Sequence, residues 1–403
     1  MVNVPNNMVG VAVSGGGDSV ALLRLLFDWS QVHGRKIFVA TVNHNLRSAA
    51  QEEAGFVANI CSDLGVPHRI LSWEDWDGQG NLQNAARSAR KSLLTDWARE
   101  LGIETIALGH TRDDQAETFL MRLARGSGVD GLSGMKQISG ENPVWVRPLL
   151  GVTRGDLREY LKTSGQNWVD DPSNDDDRFE RVKMRKAMPE LAKLGLDLDR
   201  LAGTAESMQL SRAALEQITQ RCIRNCSEPS QFGTVSVNLE KLQSEPIDIQ
   251  YRVLSYVIGW VTGSHYRPRF SSLKEVYGLL RQGSSQTLAG CFMKAITSKQ
   301  VIVMREVAGM MPQNVLNGLF DTRWTVSCDQ SIEGAEIRPL GEKGILQVKN
   351  WRDLGILRDI LLQTPAAWVG DKVVSAPFAG INGPVKISLK NDFDQFYCNV
   401  VSR

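Results

Sequence analysis

The sequence has 403 residues, of which 42% are hydrophobic and 23% are charged. These fractions are typical of folded globular domains, so they exclude a disordered, collagen-like or coiled-coil chain, and the length predicts two or three domains. Lys and Arg number 46 against 45 Asp and Glu, and the resulting net charge of +1 does not by itself indicate a polyanionic partner.

The cysteine pattern and the apolar runs bear on the compartment. The six cysteines include no CxxC pair, and the first ten residues lack the pattern of a signal peptide. The longest apolar run, near 253–261, is shorter than the roughly 20 residues that span a bilayer. We therefore expect a reduced, cytoplasmic protein without a membrane role.

The first part of the chain alternates between β-branched runs and helical patterns. We predict strands at 9–13, 37–42, 68–72 and 105–108, and helices at 20–29, 49–64 and 81–101. Strands that alternate with helices of ten or more residues imply βαβ crossovers. The sequence thus predicts an α/β fold with a doubly wound parallel sheet.

The alternation stops after residue 150. Helical patterns follow at 153–164, 247–259 and 272–282, and short β-rich runs with one more helix follow at 292–296, 300–305, 324–328 and 354–362. We predict three domains: an α/β domain at 1–195, a mostly helical domain at 196–310 and a small α+β domain at 311–403.

A glycine-rich segment joins the first strand to the first helix. In Ser14-Gly-Gly-Gly-Asp-Ser19, free backbone N–H groups and the positive end of the helix dipole converge on one point. Glycines allow positive φ and bring no Cβ atom between the backbone and a ligand, while the serines add hydroxyl donors. We predict a phosphate-binding loop made of Ser14, Gly15, Gly16, Gly17, Asp18 and Ser19.

The loop differs from the two common phosphate-binding motifs. A P-loop NTPase requires a lysine after the last glycine, and no lysine follows this loop. The dinucleotide-binding motif GxGxxG requires a third glycine, and Val20 stands at that position. Asp18 would repel a phosphate unless a cation lay between them, and Mg²⁺ shared by a carboxylate and phosphate oxygens meets that need. The loop predicts Mg²⁺ bound to Asp18.

The loop resembles the SGGxDS loop of the N-type ATP pyrophosphatases, or PP-loop superfamily, which cleave ATP between its α- and β-phosphates. Further segments, in order over about residues 9–190, narrow the resemblance to the tRNA(Ile)-lysidine synthetase family. They are Val42-Asn-His-Asn-Leu-Arg47, Ala85-Ala-Arg-Ser-Ala-Arg90, Gly109-His-Thr-Arg-Asp-Asp-Gln-Ala-Glu-Thr118, Arg147-Pro-Leu-Leu150, and Asp170-Asp-Pro-Ser-Asn174 followed by Arg178, Arg181 and Arg185. Lys91 and Val182 depart from the family pattern, which usually has Tyr and Asn there.

The resemblance implies an adenine nucleotide alpha hydrolase-like fold and a ligase. It makes the predicted domain at 1–195 the PP-loop catalytic domain, and the domains at 196–310 and 311–403 tRNA-binding domains. Such a ligase uses ATP and Mg²⁺ to join free L-lysine to carbon 2 of the wobble cytidine of an isoleucine tRNA with a CAU anticodon, through an adenylated tRNA. The oligomeric state stays open, with a homodimer among the options.

An acidic cluster follows the fourth predicted strand. Asp113 and Asp114 begin a predicted helix, and Glu117 lies one turn further. Plain N-terminal capping explains such residues too, but open sheets bind ligands at the carboxyl ends of their strands. His110 is a core histidine or a site residue. With the resemblance, the expected catalytic set is Asp18, Arg87, His110, Asp113, Asp114 and Glu117.

Basic residues supply the expected RNA contacts. Arg87 and Arg90 are three apart on one helix, which fits a solvated face or, with the resemblance, stabilisation of phosphate charge. The segment 178–186 holds five basic residues, and its pattern suits a tRNA backbone or a solvated surface. The expected substrate and RNA-binding set is His44, Arg47, Arg90, Arg147, Asp171, Asn174, Arg178, Arg181 and Arg185.

Two alternatives remain at this stage. One is another PP-loop enzyme that modifies tRNA, such as a thiolase, which the absence of a CxxC pair disfavours. The other is a non-catalytic tRNA-binding protein, which the intact Asp18 and acidic cluster disfavour.

Overall fold

The computed structural model describes residues 7–44, 49–74, 82–170, 178, 180–264, 266–314, 316–328, 332–391 and 393–398, with only the backbone at 49, 50, 83 and 84. The chain divides into two compact units, Met1–Arg212 and Ala213–Arg403.

A six-stranded sheet forms the centre of the first unit. Its strands are β1 Met8–Ala12, β2 Lys36–Asn43, β3 His68–Ser72, β4 Thr105–Leu108, β5 Ile138–Ser139 and β6 Val144–Val146. They lie in the order β3-β2-β1-β4-β6-β5, and only β5 is antiparallel to its neighbour. The strand order reverses between β1 and β4, and in open α/β sheets such a switch point is where ligands bind.

Helices cover both faces of this sheet. Helices α1 Gly17–His33, α2 Ala49–Leu64 and α6 Arg154–Thr163 pack on one face, and α3 Leu82–Leu101 packs on the other. The further helices are α4 Arg112–Ala124, α5 Val129–Leu132, α7 Glu180–Lys193 and α8 Leu198–Cys226, the last of which continues into the second unit. The alternation of side chains along β1 separates the two faces, because neighbouring residues of a strand point in opposite directions. Val9 and Val11 pack with Leu22 of α1, whereas Ala12 packs with Leu94 of α3 on the other face.

The second unit is built around antiparallel sheets. Strands β7 Ser227–Pro229, β8 Val235–Asn238, β9 Gln286–Leu288, β10 Cys291–Thr297 and β11 Gln300–Arg305 form one sheet in the order β7-β8-β11-β10-β9, beside helices α9 Leu239–Gln243, α10 Ile247–Thr262 and α11 Phe270–Arg281. Val253 and Val257 of α10 pack with Val301 and Val303 of β11, which gives this unit an apolar core.

Two three-stranded sheets complete the second unit. The strands are β12 Gly318–Phe320, β13 Trp324–Cys328, β14 Ala335–Pro339, β15 Pro365–Val369, β16 Lys372–Ser375 and β17 Val385–Leu389, and the helices are α12 Gly341–Ile345, α13 Arg358–Leu362 and α14 Phe393–Cys398. The sheets have the orders β12-β13-β17 and β14-β15-β16.

The predicted α/β fold with an additional carboxyl-terminal region is confirmed. The domain boundaries at 195/196 and 310/311 stay predictions. The segment 196–310, expected to be mostly helical, contains helices α8 to α11 but also the five-stranded sheet. Its strand β7 has only three residues and is too short to show a period of two. Every helix among the described residues is too short or too polar to span a bilayer.

Candidate active site

The glycine-rich loop joins β1 to α1 at the carboxyl edge of the parallel strands. Gly15 has a φ of +92°, a conformation that favours glycine. The Ser19 hydroxyl accepts a hydrogen bond from Ser14 N (3.1 Å) and donates one to Gly16 O (2.8 Å), so it closes the loop upon itself. Because α1 begins at Gly17, the unpaired N–H groups and positive dipole of its first turn belong to this loop, which suits an anion.

The acidic cluster lies at the start of α4, next to the loop. Thr111 caps this helix: its N–H and its hydroxyl donate to Asp114 Oδ2 at 2.8 and 3.1 Å. The capping interpretation therefore holds for Asp114, which also lines the cleft described below. Glu117 lies one turn further and is only 2% exposed, so its carboxylate requires charged partners.

Arg154, the first residue of α6, connects the loop to the acidic cluster. Its Nε lies 3.2 Å from Asp18 Oδ2, and its Nη1 lies 3.4 Å from Glu117 Oε1. Its Nη2 lies 3.6 Å from Asp114 Oδ1, and its backbone N–H donates to Asp113 Oδ2 at 2.8 Å. The guanidinium of Arg154 thus lies between Asp18 of the anion-binding loop and the carboxylates of α4.

Two arginines of α7 contact the same carboxylates. Arg181 Nη1 lies 3.6 Å from Asp114 Oδ1, and Arg181 Nε lies 3.4 Å from Glu117 Oε2. Arg185 Nε donates to Glu117 Oε1 at 3.1 Å. The expected RNA contact of these arginines stays a prediction; in the structure their charged groups point into the cleft.

Three carboxylates of the site, the half-buried Asp18 and the buried Asp114 and Glu117, differ in pKa. Burial raises the pKa of Asp18 even though Arg154 acts in the opposite direction, and burial likewise raises the pKa of Glu117. Burial also opposes ionisation of Asp114, but Arg181 and the Thr111 N–H outweigh it and hold the pKa of Asp114 below its usual value. The site therefore contains one strongly ionised carboxylate between two that gain protons more easily.

The two histidines of the predicted site both have a lowered pKa, which favours the neutral imidazole. Burial lowers the pKa of His110 to about 4, and Arg147 and Arg90 add to the effect while Asp114 opposes it. Burial and Arg90 lower the pKa of His44, whose ring makes an edge contact with Trp73 at 5.7 Å between ring centroids. The Nδ1 atom of each is buried and has no hydrogen-bond partner among the described residues.

These residues surround a cleft of about 910 Å³. Sequence analysis anticipated many of the residues that line it: Ser14, Gly16, Gly17, Asp18, Ser19, Arg90, His110, Asp113, Asp114, Arg181 and Arg185. Other predicted residues are described but do not line it, namely Gly15, His44, Arg87, Glu117, Arg147 and Arg178. Arg47, Asp171 and Asn174 lie outside the described residues.

Arg87 and Arg147 extend the positive charge beyond the cleft. Burial is the main cause that lowers the pKa of Arg90 and of Arg147, and the positive charge of Arg87 is the second cause for both. These three side chains therefore lie near one another. Arg147 Nη1 donates to Lys136 O at 2.8 Å and to Ser139 Oγ at 3.0 Å. Arg147 therefore also fixes the short strand β5.

Sequence analysis missed several residues that line the cleft. Arg154, Gly155 and Arg158 come from the start of α6, and Val169 comes from the segment after it. Asp170 also lines the cleft; it begins a segment quoted for the resemblance but was not among the candidate site residues. One signal was present: α6 is the next helix after the parallel strand β6, so its start lies at the edge where open sheets bind ligands. Of the two departures from the family pattern, Val182 is 5% exposed and Lys91 is exposed.

Known proteins resemble the chain over its whole length. Residues 1–191 match the family of PP-loop domains. A tRNA(Ile)-lysidine synthase from Ruegeria pomeroyi is 40% identical over 99% of this chain and 95% of its own length. Those of Wolbachia pipientis wMel and of the Wolbachia of Brugia malayi are 33% and 35% identical, over 94% and 75% of this chain and 90% and 72% of theirs. The PP-loop, the acidic cluster beside it and similarity along the entire chain together show that the chain belongs to the tRNA(Ile)-lysidine synthase family of PP-loop ligases.

Proposed function

We propose that this chain, in the cytoplasm, joins L-lysine to carbon 2 of the wobble cytidine of an isoleucine tRNA with a CAU anticodon, through an adenylated tRNA. One observation carries the proposal: a site for an anion and a site for a cation lie next to each other, and Arg154 contacts both. Arg154 lies 3.2 Å from Asp18 in the anion-binding loop and 3.4 Å from Glu117 in the acidic cluster. ATP needs the first site and an amine needs the second. The relatives' names supply the tRNA and the product.

ATP fits the loop through its phosphates, and the donors present fit Mg²⁺. Asp18 and Asp113 offer carboxylate oxygens with side chains 23% and 24% exposed. No group of three or more His, Cys, Asp or Glu side chains among the described residues is arranged to hold a metal, and Mg²⁺ usually takes one or two carboxylates together with substrate phosphates. When bound, Mg²⁺ supplies positive charge to the phosphate oxygens; Asp18 would hold it, with Asp113 as a second donor.

In the first step, the oxygen on carbon 2 of the cytidine attacks the α-phosphorus. A P–O bond forms to this oxygen, the bond to the bridging oxygen of the β-phosphate breaks, and pyrophosphate leaves. The N–H groups at the start of α1 stabilise the added negative charge together with the guanidinium of Arg90, and the position of Arg90 in the lining of the cleft supports this role. Neutral His110 donates or accepts a hydrogen bond here without adding charge.

In the second step, the side-chain amine of lysine attacks carbon 2, so that a C–N bond forms, the C–O bond breaks and AMP leaves. The amine must first lose a proton, because its ordinary pKa is about 10.4. Asp114, held ionised by Arg181, binds a positive amino group. Glu117, whose pKa is raised by burial, accepts the proton, since a base works best when its pKa approaches the operating pH.

The test is incorporation of labelled lysine into RNA. Purified protein, ATP and Mg²⁺ are mixed with isoleucine tRNA bearing a CAU anticodon, and with the same tRNA carrying uridine at the wobble position as a matched control. We expect label only in the first tRNA, with one AMP formed per lysine. AMP formation without label in RNA would show that lysine is not the acceptor. A thiolase would need a sulfur carrier, and none of the residues lining the cleft is a cysteine.

A further inference from the structure

We propose that Arg154 makes binding of the amine substrate depend on prior binding of ATP, because its guanidinium occupies the amine site until a polyphosphate draws it away. This inference rests on the proposed function and names Arg154 as a positioning residue for it. It assigns an order of binding, nucleotide before amine.

Arg154 takes the oxygen atoms that an incoming ammonium group needs. An ammonium group donates three hydrogen bonds and requires acceptors around it. The Nη atoms of Arg154 lie 3.4 Å from Glu117 Oε1 and 3.6 Å from Asp114 Oδ1. The side chain of Arg154 is 17% exposed, so it covers these oxygens from the cleft. A lysine side chain cannot contact them while the guanidinium stays.

The other arginines of the site do not have this position. Arg181 and Arg185 come from α7 and contact Asp114 or Glu117, but neither has an ion pair with Asp18 or Asp113 among the described residues. In the part of the chain that the structure describes, Arg154 alone has ion pairs with both the acidic cluster and Asp18 of the phosphate-binding loop. Arg181 and Arg185 share Asp114 Oδ1 and Glu117 Oε1 with it, at 3.6 and 3.1 Å. Displacement of Arg154 would therefore remove one of the two cations on each of these oxygens, on the side that faces the loop, and leave Glu117 with two charged partners.

A polyphosphate bound next to the loop would attract the guanidinium of Arg154 and would offer it new hydrogen-bond acceptors. Arg154 Nε is already 3.2 Å from Asp18 Oδ2, so the guanidinium lies beside the position of the phosphates. Arginine binds phosphate through paired, charge-assisted hydrogen bonds, and a cation on Asp18 weakens that carboxylate's hold on Arg154. The main chain stays in place, since the Arg154 N–H is fixed to Asp113 Oδ2 at 2.8 Å. Only the side chain has to turn.

The experiment measures lysine binding to the full-length protein by calorimetry, with Mg²⁺ and with or without saturating α,β-methylene-ATP, which the enzyme cannot cleave. We expect wild-type protein to bind lysine at least tenfold more tightly with the nucleotide. Arg154→Gln should bind lysine equally well, within about threefold, in both conditions. Arg154→Lys, which keeps a cation, should retain part of the dependence. Arg158→Gln removes an arginine that lines the same cleft and pairs with Asp170, so it should retain the full dependence.

Several results would overturn the inference. One is an equal affinity of the wild type for lysine with and without the nucleotide. Another is weaker lysine binding by Arg154→Gln than by the wild type in the absence of nucleotide, because Arg154 would then support the amine site. Should Arg154→Gln fail to fold, the wild type suffices: linkage requires saturating lysine to tighten nucleotide binding by the same factor, and an unchanged nucleotide affinity would reject the inference. Absence of lysine binding in every condition would reject the proposed function together with it.

Discussion

A Cβ atom at position 109 would lie 3.1 Å from the Cα of Ser19 and 3.1 Å from the carbonyl oxygen of Asp18. Gly109 directly follows β4, so the end of this strand packs against the first turn of α1 at backbone distance. The glycine is required by this close approach and not by its own φ. Two neighbouring parallel strands thereby fix the phosphate-binding loop from both sides.

Replacing Gly109 by alanine should destabilise the protein and weaken nucleotide binding. The nearest atoms are backbone atoms, which cannot move aside as a flexible side chain can, and overpacking of this kind costs about 1–3 kcal/mol. Urea denaturation and ATP binding give the measurements. Gly55→Ala is the matched control: it lies in α2 with nothing within 4 Å of the added Cβ, so it should be neutral or stabilise by up to about 1 kcal/mol. Equal stability of the two variants would contradict the packing explanation.

Asp18→Asn should abolish ATP cleavage to AMP without lowering the free energy of unfolding at pH 7. The pKa of Asp18 is raised, so the folded protein disfavours its charge, and removal of the charge relieves a cost. We expect AMP formation to fall at least about 100-fold while urea denaturation shows equal or higher stability. A clear loss of stability would show that Asp18 is a structural residue.

Asp114→Asn should have the opposite effect on stability. The pKa of Asp114 is lowered, so its charge stabilises the folded state above the ordinary pKa, and that contribution is lost as the pH falls through the folded pKa. The substitution weakens the cap on Thr111 and the ion pair with Arg181, at a cost of about 1–3 kcal/mol. Urea denaturation at pH 7 measures it. Should Asp114→Asn be as stable as Asp18→Asn, the contrast between the two carboxylates would be wrong.

His110 should make the protein lose stability as the pH falls from about 6.5 to about 4. Its pKa is about 4 in the folded protein, below the ordinary 6.5, so the unfolded chain binds more protons in this window. Between pH 7 and pH 5 the wild type should therefore lose more free energy of unfolding than His110→Gln does. His33→Gln, at the exposed end of α1, should behave like the wild type. An equal loss in His110→Gln would refute the shift.

Substitutions of Arg181 and Lys183 should have different effects, the first on catalysis and the second on RNA binding. Both lie on α7, but Arg181 contacts Asp114 and Glu117 while Lys183 is exposed. Lys183→Gln should weaken tRNA binding and reduce the slope of log K against log salt by about one, with kcat unchanged. Arg181→Gln should lower kcat and leave the tRNA affinity within about twofold. A lower salt slope for Arg181→Gln would instead place its guanidinium on the RNA backbone.

Much of the first unit could be predicted from local patterns. The helix at 49–64 and the strands at 68–72 and 105–108 coincide with α2, β3 and β4, because apolar periodicity and the glycines that end the helices are local signals. Strand β5 has two residues and β7 has three, so neither is long enough to show a period. Their pairing depends on the strands beside them.

Site residues that stand in a motif could be predicted from the sequence, whereas residues that reach the site through long-range contacts could not. Asp18 and His110 stand in recognisable segments, and both line the cleft. Arg154 stands in no motif, and its ion pair with Asp18 joins residues 136 positions apart. Glu117 was expected in the site, but the helix places it behind the arginines, where it is only 2% exposed. Such differences arise from which face of a helix meets the cleft, and that is set by packing across the sheet.

We propose that this one cleft first adenylates tRNA and then transfers lysine to it. The most direct measurement is a single-turnover reaction with ATP labelled in its α-phosphate, Mg²⁺ and isoleucine tRNA bearing a CAU anticodon, run first without lysine. We expect label to accumulate on the RNA and to leave as AMP when lysine is added, with one lysine gained per AMP released, and Asp18→Asn should show neither event. Lysine incorporation without label ever appearing on the RNA would contradict the two-step reaction.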